Sequence, residues 1–431
     1  MMVNEDKPTS AASTDHNDTS RKYRIAMFIG VFPTPSETFI VNQIVALKKA
    51  GHQVDIFSMG RPSSSAVHSD VEKYRLVDQC VYLVTPEMGA LAKLAEVART
   101  FAGSSQWVSV AGVVRLMRVA RRIKGWSYMS IFRIVARQLM TGPYDLVHCQ
   151  FGDLGQSVEP LISAQVLHGK LVTAIRGHDV TQVQRFDREF YRELAARGDY
   201  FMPVSESMRQ RLLELGFPDE KIGIVRSGID CKKLKFAQRA IAPNGVMKLI
   251  SVGRLVEMKG TQYAVRAAAQ LAAAGVPFTY EIIGSGPLQE SLQALIDELG
   301  LEHQVKLLGL LSHDQVISRI AEADIMLMPS VTAENGEQEG LPNALKEALA
   351  CGLLVVATRH SGVPELIEHG VCGYLSDEKD VEAMVNNLLA LQRSPEVWGK
   401  FSEHGRWRVE TEYDLPVVHE QLLRCYARVC R

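Results

Sequence analysis

RIAMFIGVFPTPSETFIVNQIVALKKAGHQVDIFSM, residues Arg24–Met59, decides the fold. Arg24–Gly30 is an apolar run that reads as a buried strand. A loop with two prolines follows. Glu37–Ala50 then carries Phe39, Ile40, Ile44 and Leu47 at helical spacing, and Gly51 stands where a helix ends. Val54–Met59 is the next strand. Strand, helix, strand is the βαβ unit of a doubly wound parallel sheet.

Working outward, short apolar runs recur at Leu146–Phe151, Leu171–Ile175, Tyr200–Val204 and Ile222–Val225, and each predicts a strand. Between Gly60 and Thr141 the pattern is mainly helical and irregular. Ala237–Val246 reads as a linker, broken by Pro243, Asn244 and Gly245. A second alternation then begins. It predicts strands at Lys248–Gly253, Phe278–Ile283, Val305–Leu308, Ile325–Pro329 and Leu354–Ala357. Helices are predicted at about Thr261–Ala274, Leu288–Leu299, His313–Ala323, Pro342–Ala350 and Val381–Leu391. The expected architecture is α/β: a polar disordered tail (1–22), a first Rossmann-like domain (23–240), a second (241–409) and a final helix (410–431) that returns to the first. Two doubly wound domains enclose a cleft, and the loops at the carboxyl ends of their strands point into it.

The bulk numbers agree with this layout. A chain of 431 residues is too long for one ordinary core. Hydrophobic content of 46% and charged content of 23% are those of a soluble globular protein. A formal net charge of -1 argues against nucleic acid held by a global positive field. The seven cysteines include no C-x-x-C pair, which fits reduced thiols and a cytoplasmic location. No run of 18 or more uninterrupted apolar residues appears, so no membrane span is expected.

The chemistry concentrates in Pro329–Val356, PSVTAENGEQEGLPNALKEALACGLLVV. Glu339 and Glu347 stand eight apart, the second in a helix predicted to begin near Pro342, which suits a first helical position. The turn Gly340, Leu341, Pro342, Asn343 then aims unpaired backbone N–H groups into the cleft, a ready anion site. Carboxylates accept paired bonds from vicinal hydroxyls. Either glutamate could also be an ordinary exposed helix or loop acid. Ser251–Gly260, SVGRLVEMKG, ends a strand with Arg254 and follows with Lys259. A lysine at a helix start calls for an anionic partner, because helix starts favour acids. Ile283–Pro287 (IGSGP) and Leu308–Leu311 (LGLL) are turns after strands.

Taken in order, these segments resemble the E-x7-E family 4 retaining glycosyltransferases of the GT-B fold. The resemblance covers about residues 24–410 and is strongest over 248–376. It implies that Glu339 contacts hydroxyls of the transferred sugar and that Glu347 holds the ribose hydroxyls. Arg254 and Lys259 would neutralise the donor diphosphate. Gly284, Ser285, Gly286 and Leu311 would border the nucleotide. In the first half, Gly30–Thr38 (GVFPTPSET) resembles the family's first loop, with Gly30 near the donor. Ser36–Phe39 (SETF) is similar to exopolysaccharide glycosyltransferases, including the colanic-acid type. Arg176–Asp179 (RGHD) resembles the family's central H-G-x-D segment with the order changed. His178 would fill the catalytic histidine's place, with Arg176, Asp179 and Glu37 beside it on the acceptor side.

The implied activity is metal-independent, hexosyltransferase-like transfer from a nucleotide-sugar to a surface-polysaccharide precursor or lipid-linked acceptor. No cofactor and no metal are expected: D-x-D, the P-loop pattern and H-E-x-x-H are all missing. A nucleotide-sugar epimerase of the same architecture and a catalytically silent scaffold remain open. So does the role of Arg99–Arg137. Arg115, Arg118, Arg121, Arg122, Lys124 and Arg133 lie there among Trp107 and Trp126. The stretch is either a solvated basic face or a peripheral contact with an anionic inner leaflet.

Overall fold

The computed structural model describes residues 21–34, 37–62, 69–84, 126–182, 185–242 and 245–431. The first sheet holds β1 (Arg24–Val31), β2 (Gln53–Gly60), β3 (Cys80–Tyr82), β4 (Leu146–Cys149), β5 (Lys170–Ile175) and β6 (Tyr200–Pro203). Its order is β3-β2-β1-β4-β5-β6, parallel throughout. The second holds β7 (Met247–Val252), β8 (Phe278–Ile283), β9 (Val305–Gly309), β10 (Ile325–Met328), β11 (Leu354–Thr358) and β12 (Tyr374–Ser376). Its order, β12-β11-β10-β7-β8-β9, repeats the first. In both sheets the winding reverses beside the first strand, so β1 with β4 and β7 with β10 flank the crevice where such sheets bind ligands.

Helices cover the sheets because each buries one apolar stripe. In α1 (Thr38–Lys49) the stripe is Ile40, Val41, Ile44, Val45 and Leu47, and Lys48 and Lys49 sit favourably in the last turn. The first sheet also carries α2 (Ser69–Lys73), α3 (Tyr128–Thr141), α4 (Gly152–Ser163), α5 (His178–Thr181), α6 (Arg188–Arg197) and α7 (Glu206–Glu214). The second carries α8 (Thr261–Ala273), α9 (Gln289–Glu298), α10 (His313–Glu322), α11 (Asn343–Ala350), α12 (Val363–Leu366), α13 (Val381–Arg393) and α14 (Glu396–Glu412).

The last helix, α15 (Leu415–Val429), leaves the second sheet and inserts Val418, Leu422 and Tyr426 into the first core. There the Tyr426 hydroxyl and Nδ1 of His148 share a 2.6 Å hydrogen bond. His148 is fully buried, and burial pushes its pKa down to about 3, so the ring is neutral. Tyr426→Phe strands a buried imidazole nitrogen, which costs about 1–2 kcal/mol. A urea titration should show a lower midpoint at unchanged slope. An unmoved midpoint would mean that this bond contributes nothing to holding α15 down.

Several local expectations are corrected. Ile222–Val225 is not a strand: Ile222 makes an isolated bridge to Phe201, and Gly223 and Val225 donate to the Phe201 and Pro203 carbonyls without building a ladder. The three-residue edge strands β3 and β12 were not anticipated. Helix α11 begins at Asn343, with Pro342 one position earlier in extended conformation. Met1–Ser20 lies outside the described residues. Arg21 bonds the Cys430 carbonyl and Asp145, and Lys22 bonds the Ala50 carbonyl.

Most of the basic stretch, residues 99–125, also lies outside the described residues. Its described part is bound within the protein. Trp126 donates to the Ser157 carbonyl, Arg133 to the carbonyls of Tyr82 and Leu83, and Arg137 to Asp55 at 2.5 and 2.9 Å. Among the described residues no helix is long and apolar enough to cross a membrane.

Candidate active site

The loops after β1 and β5 on one wall meet those after β7 and β10 on the other. Lys259 comes from the short turn that follows β7, and its ammonium forms an ion pair with the Glu339 carboxylate in the loop after β10. Both side chains are largely buried, at 13% and 19% exposure. Burial alone would raise the Glu339 pKa, but Lys259 and Arg254 outweigh it and hold it below the ordinary carboxylate value. Among the described residues no hydrogen-bond donor is aligned on Glu339 Oε2. That oxygen is buried against the Lys259 ammonium, so the two charges meet directly. Arg254 is exposed at the end of β7.

Glu347, on α11, is buried; burial raises its pKa while His313 and Lys346 oppose the rise. His313 Nε2 lies 3.9 Å from its Oε1. The Gly284–Gly286 turn packs on the β7 loop, since the Leu255 N–H donates to the Ser285 carbonyl and the Gly253 N–H to the Ile283 carbonyl. Leu311 packs at the edge of the second core and Leu341 lies within it.

On the opposite wall, Glu37 stands at the N-cap position of α1 without a side-chain capping bond, and burial pushes its pKa up to about 7 against Arg176, His178 and Arg254. His178 opens α5, exposed, with its ring 5.1 Å from that of Phe151. Asp179 is fully buried and spent on backbone: its carboxylate accepts from the N–H groups of Gly152, Arg176 and Gly177. It therefore shapes the loop. Arg176 lies 4.2 Å over the Phe39 ring and donates to the Gln150 carbonyl and side chain. A side chain at Gly30 would enter open space.

The walls touch at Gly177, whose φ of 142° suits glycine alone, and at Gly340, where a Cβ would strike the Arg176 carbonyl. The Gln338 N–H donates to Thr181 across the same seam at 3.1 Å. The side chain of Asn343, in the turn expected at the donor, accepts through its Oδ1 from Lys346 and Ser227. The fully buried Lys346 also donates to the Ser227 carbonyl, and burial lowers its pKa to about 7.

Lys346, His313, His360 and Glu378 were not anticipated. His360 follows an apolar strand, a signal the sequence did offer; Glu378 follows β12, which is too short to announce itself. Among the described residues no group of three His, Cys, Asp or Glu is placed to hold a metal ion.

This chain matches the family model Glycosyltransferase Family 4 over residues 36–233 and Glycosyl transferases group 1 over residues 233–408. Among similar proteins, the amylovoran biosynthesis glycosyltransferase AmsK of Erwinia amylovora is 32% identical, covering 94% of this chain and 100% of AmsK. The candidate colanic acid biosynthesis glycosyltransferase WcaL of Salmonella typhimurium is 33% identical, covering 93% of this chain and 98% of WcaL. Anabaena Alr3699/HepE, solved with UDP and glucose, shares the fold with a TM-score of 0.66 at 17% identity, over 93% of this chain and 98% of its own.

Proposed function

The chain belongs to the glycosyltransferases of family 4 and group 1, and from that premise we propose that it transfers a hexose-like sugar, with retention, from a nucleotide-sugar to a surface-polysaccharide precursor or lipid-linked acceptor. The observation that carries this reading is the pairing of Lys259 with Glu339 beside Arg254, facing Glu37 and His178 across the cleft.

As the bond between the sugar and the diphosphate breaks, negative charge grows on the leaving phosphate. Arg254 and Lys259 favour that charge without a metal. Glu347 receives the ribose hydroxyls, and the Gly284–Gly286 and Leu311 loops border the base. Glu339 receives hydroxyls of the transferred sugar, and His178 lies at the reacting carbon. The acceptor oxygen forms the new bond on the face the phosphate leaves, and its proton passes to a phosphate oxygen. Glu37 orients the acceptor hydroxyl. The names of AmsK and WcaL support a polysaccharide product. A lipid-linked acceptor fits a site of action on the cytoplasmic face of the inner membrane, with the basic stretch 99–137 as the contact.

Thermal shifts with UDP, GDP, ADP and TDP, in EDTA, test the donor site. One nucleotide at about 100 times its dissociation constant adds about 2.7 kcal/mol to the wild type, and Glu347→Ala abolishes the shift. No response to any of the four would overturn the reading, and inversion in the product would overturn retention.

A further inference from the structure

The Glu339 loop is fastened by two side chains that the transfer reaction leaves unassigned. His360, two residues beyond β11, is 1% exposed. Its Nε2 accepts the Glu339 N–H at 3.0 Å. A nitrogen that accepts carries no proton, so the ring proton sits on Nδ1, which donates to Glu378 Oε1 at 2.5 Å. The same carboxylate accepts the Thr332 N–H at 2.7 Å and the Thr332 hydroxyl at 3.3 Å. Thr332 Oγ1 in turn accepts from the Gln338 side chain at 3.2 Å. One carboxylate thus ties both ends of the loop, Thr332 directly and Glu339 through an imidazole.

We propose that His360, oriented by Glu378, is a positioning residue that fixes Glu339 against the transferred sugar. The inference rests on the donor-site reading above and adds to it the device that sets the sugar contact. Glu339 is held at two points: its carboxylate by Lys259 and its backbone by His360. Fixing the amide fixes the Cα from which the carboxylate swings. Misplacement by about 1 Å can cost about 10²-fold in rate. A nucleoside diphosphate lacks the sugar and meets Glu339 only through Lys259, so the loop's position should matter far more to the sugar-nucleotide than to the free diphosphate.

The experiment compares wild type, His360→Ala, His360→Gln and Glu378→Gln by calorimetry with the nucleoside diphosphate that stabilises the wild type, and by donor kinetics. Expected for His360→Ala is diphosphate affinity within about 2-fold of wild type and kcat lower by about 30- to 100-fold. His360→Gln places an amide oxygen near the Nε2 position and should recover part of the loss. If His360→Ala does not fold, Glu378→Gln carries the same comparison. Hydrogen exchange over residues 332–341 supplies a readout free of the reaction: both lesions should speed exchange at Glu339.

Unchanged kcat, unchanged exchange, or diphosphate affinity falling in step with kcat would each overturn the proposal. A wild type that binds no nucleoside diphosphate would instead overturn the donor-site reading, while the exchange result still decides whether His360 holds the loop.

Discussion

Lys259→Met should lower kcat by about 10²- to 10³-fold, the usual cost of deleting one fixed charge partner of a transition-state oxyanion. The same change should destabilise the protein by about 2–3 kcal/mol, because it strands a largely buried carboxylate; removing one partner of a buried ion pair costs more than the pair contributes. The two effects separate on a second substitution. Adding Glu339→Gln removes the stranded charge, so the double variant regains most of the stability and none of the activity. Chemical denaturation and donor turnover read the two quantities.

The pH dependence of this variant has a definite sign. In the wild type the Glu339 pKa lies below the ordinary value of 4.5. The pair's contribution is therefore present above about pH 4.5 and is lost as pH falls through the folded value. Without Lys259, the burial that raises the pKa faces weaker opposition. The single variant then loses stability as pH rises above 4.5, and its gap to the wild type closes in acid. A gap that is constant with pH would mean that Lys259 acts through packing and not through its charge on Glu339.

The fold was legible because both sheets are parallel and covered on both faces, so interior strands such as Ile25–Ile29 and Leu354–Ala357 read as continuous apolar runs between helical patterns. What stayed hidden was short or non-local. Cys80–Tyr82 and Tyr374–Ser376 form three-residue edges too short to show a period. Ile222–Val225 has strand composition but pairs on one side only, against Phe201 and Pro203.

In the site, the charged residues at strand ends could be found from their place after apolar runs and from the family resemblance. Their commitments could not. Asp179 looks free in RGHD, yet its carboxylate is consumed by three backbone N–H groups. Asn343 ends the predicted anion turn, and its side-chain oxygen accepts from Ser227 and Lys346. The bond from His360 to Glu378 joins the ends of two adjacent strands and has no footprint in local sequence.

Glu37→Gln should make the protein more stable and less active at once. Burial raises the Glu37 pKa from 4.5 to about 7, with Arg176, His178 and Arg254 opposing the rise. Between those values the folded chain keeps a proton that the unfolded chain has released. Stability therefore falls as pH climbs from about 4.5 to about 7 and stays level above. Glutamine removes that penalty. The variant should match the wild type near pH 4 and exceed it at pH 8, by up to about 3 kcal/mol at 1.36 kcal/mol per unit. Solvent access to the partly exposed carboxylate will trim that figure.

Activity should move the other way. A carboxylate that orients the acceptor hydroxyl works only when ionised, so wild-type kcat/KM for acceptor rises through about pH 7. The variant loses that limb and about 10²-fold of the rate. Melting curves at the two pH values and an acceptor pH profile check both halves. Added stability with an unchanged acceptor profile would keep Glu37 as a strained, buried acid and remove it from the acceptor site. A site that holds a carboxylate in an unfavourable ionisation state gives up folding free energy to keep a group poised near neutrality, and the opposed responses of this single substitution measure that trade.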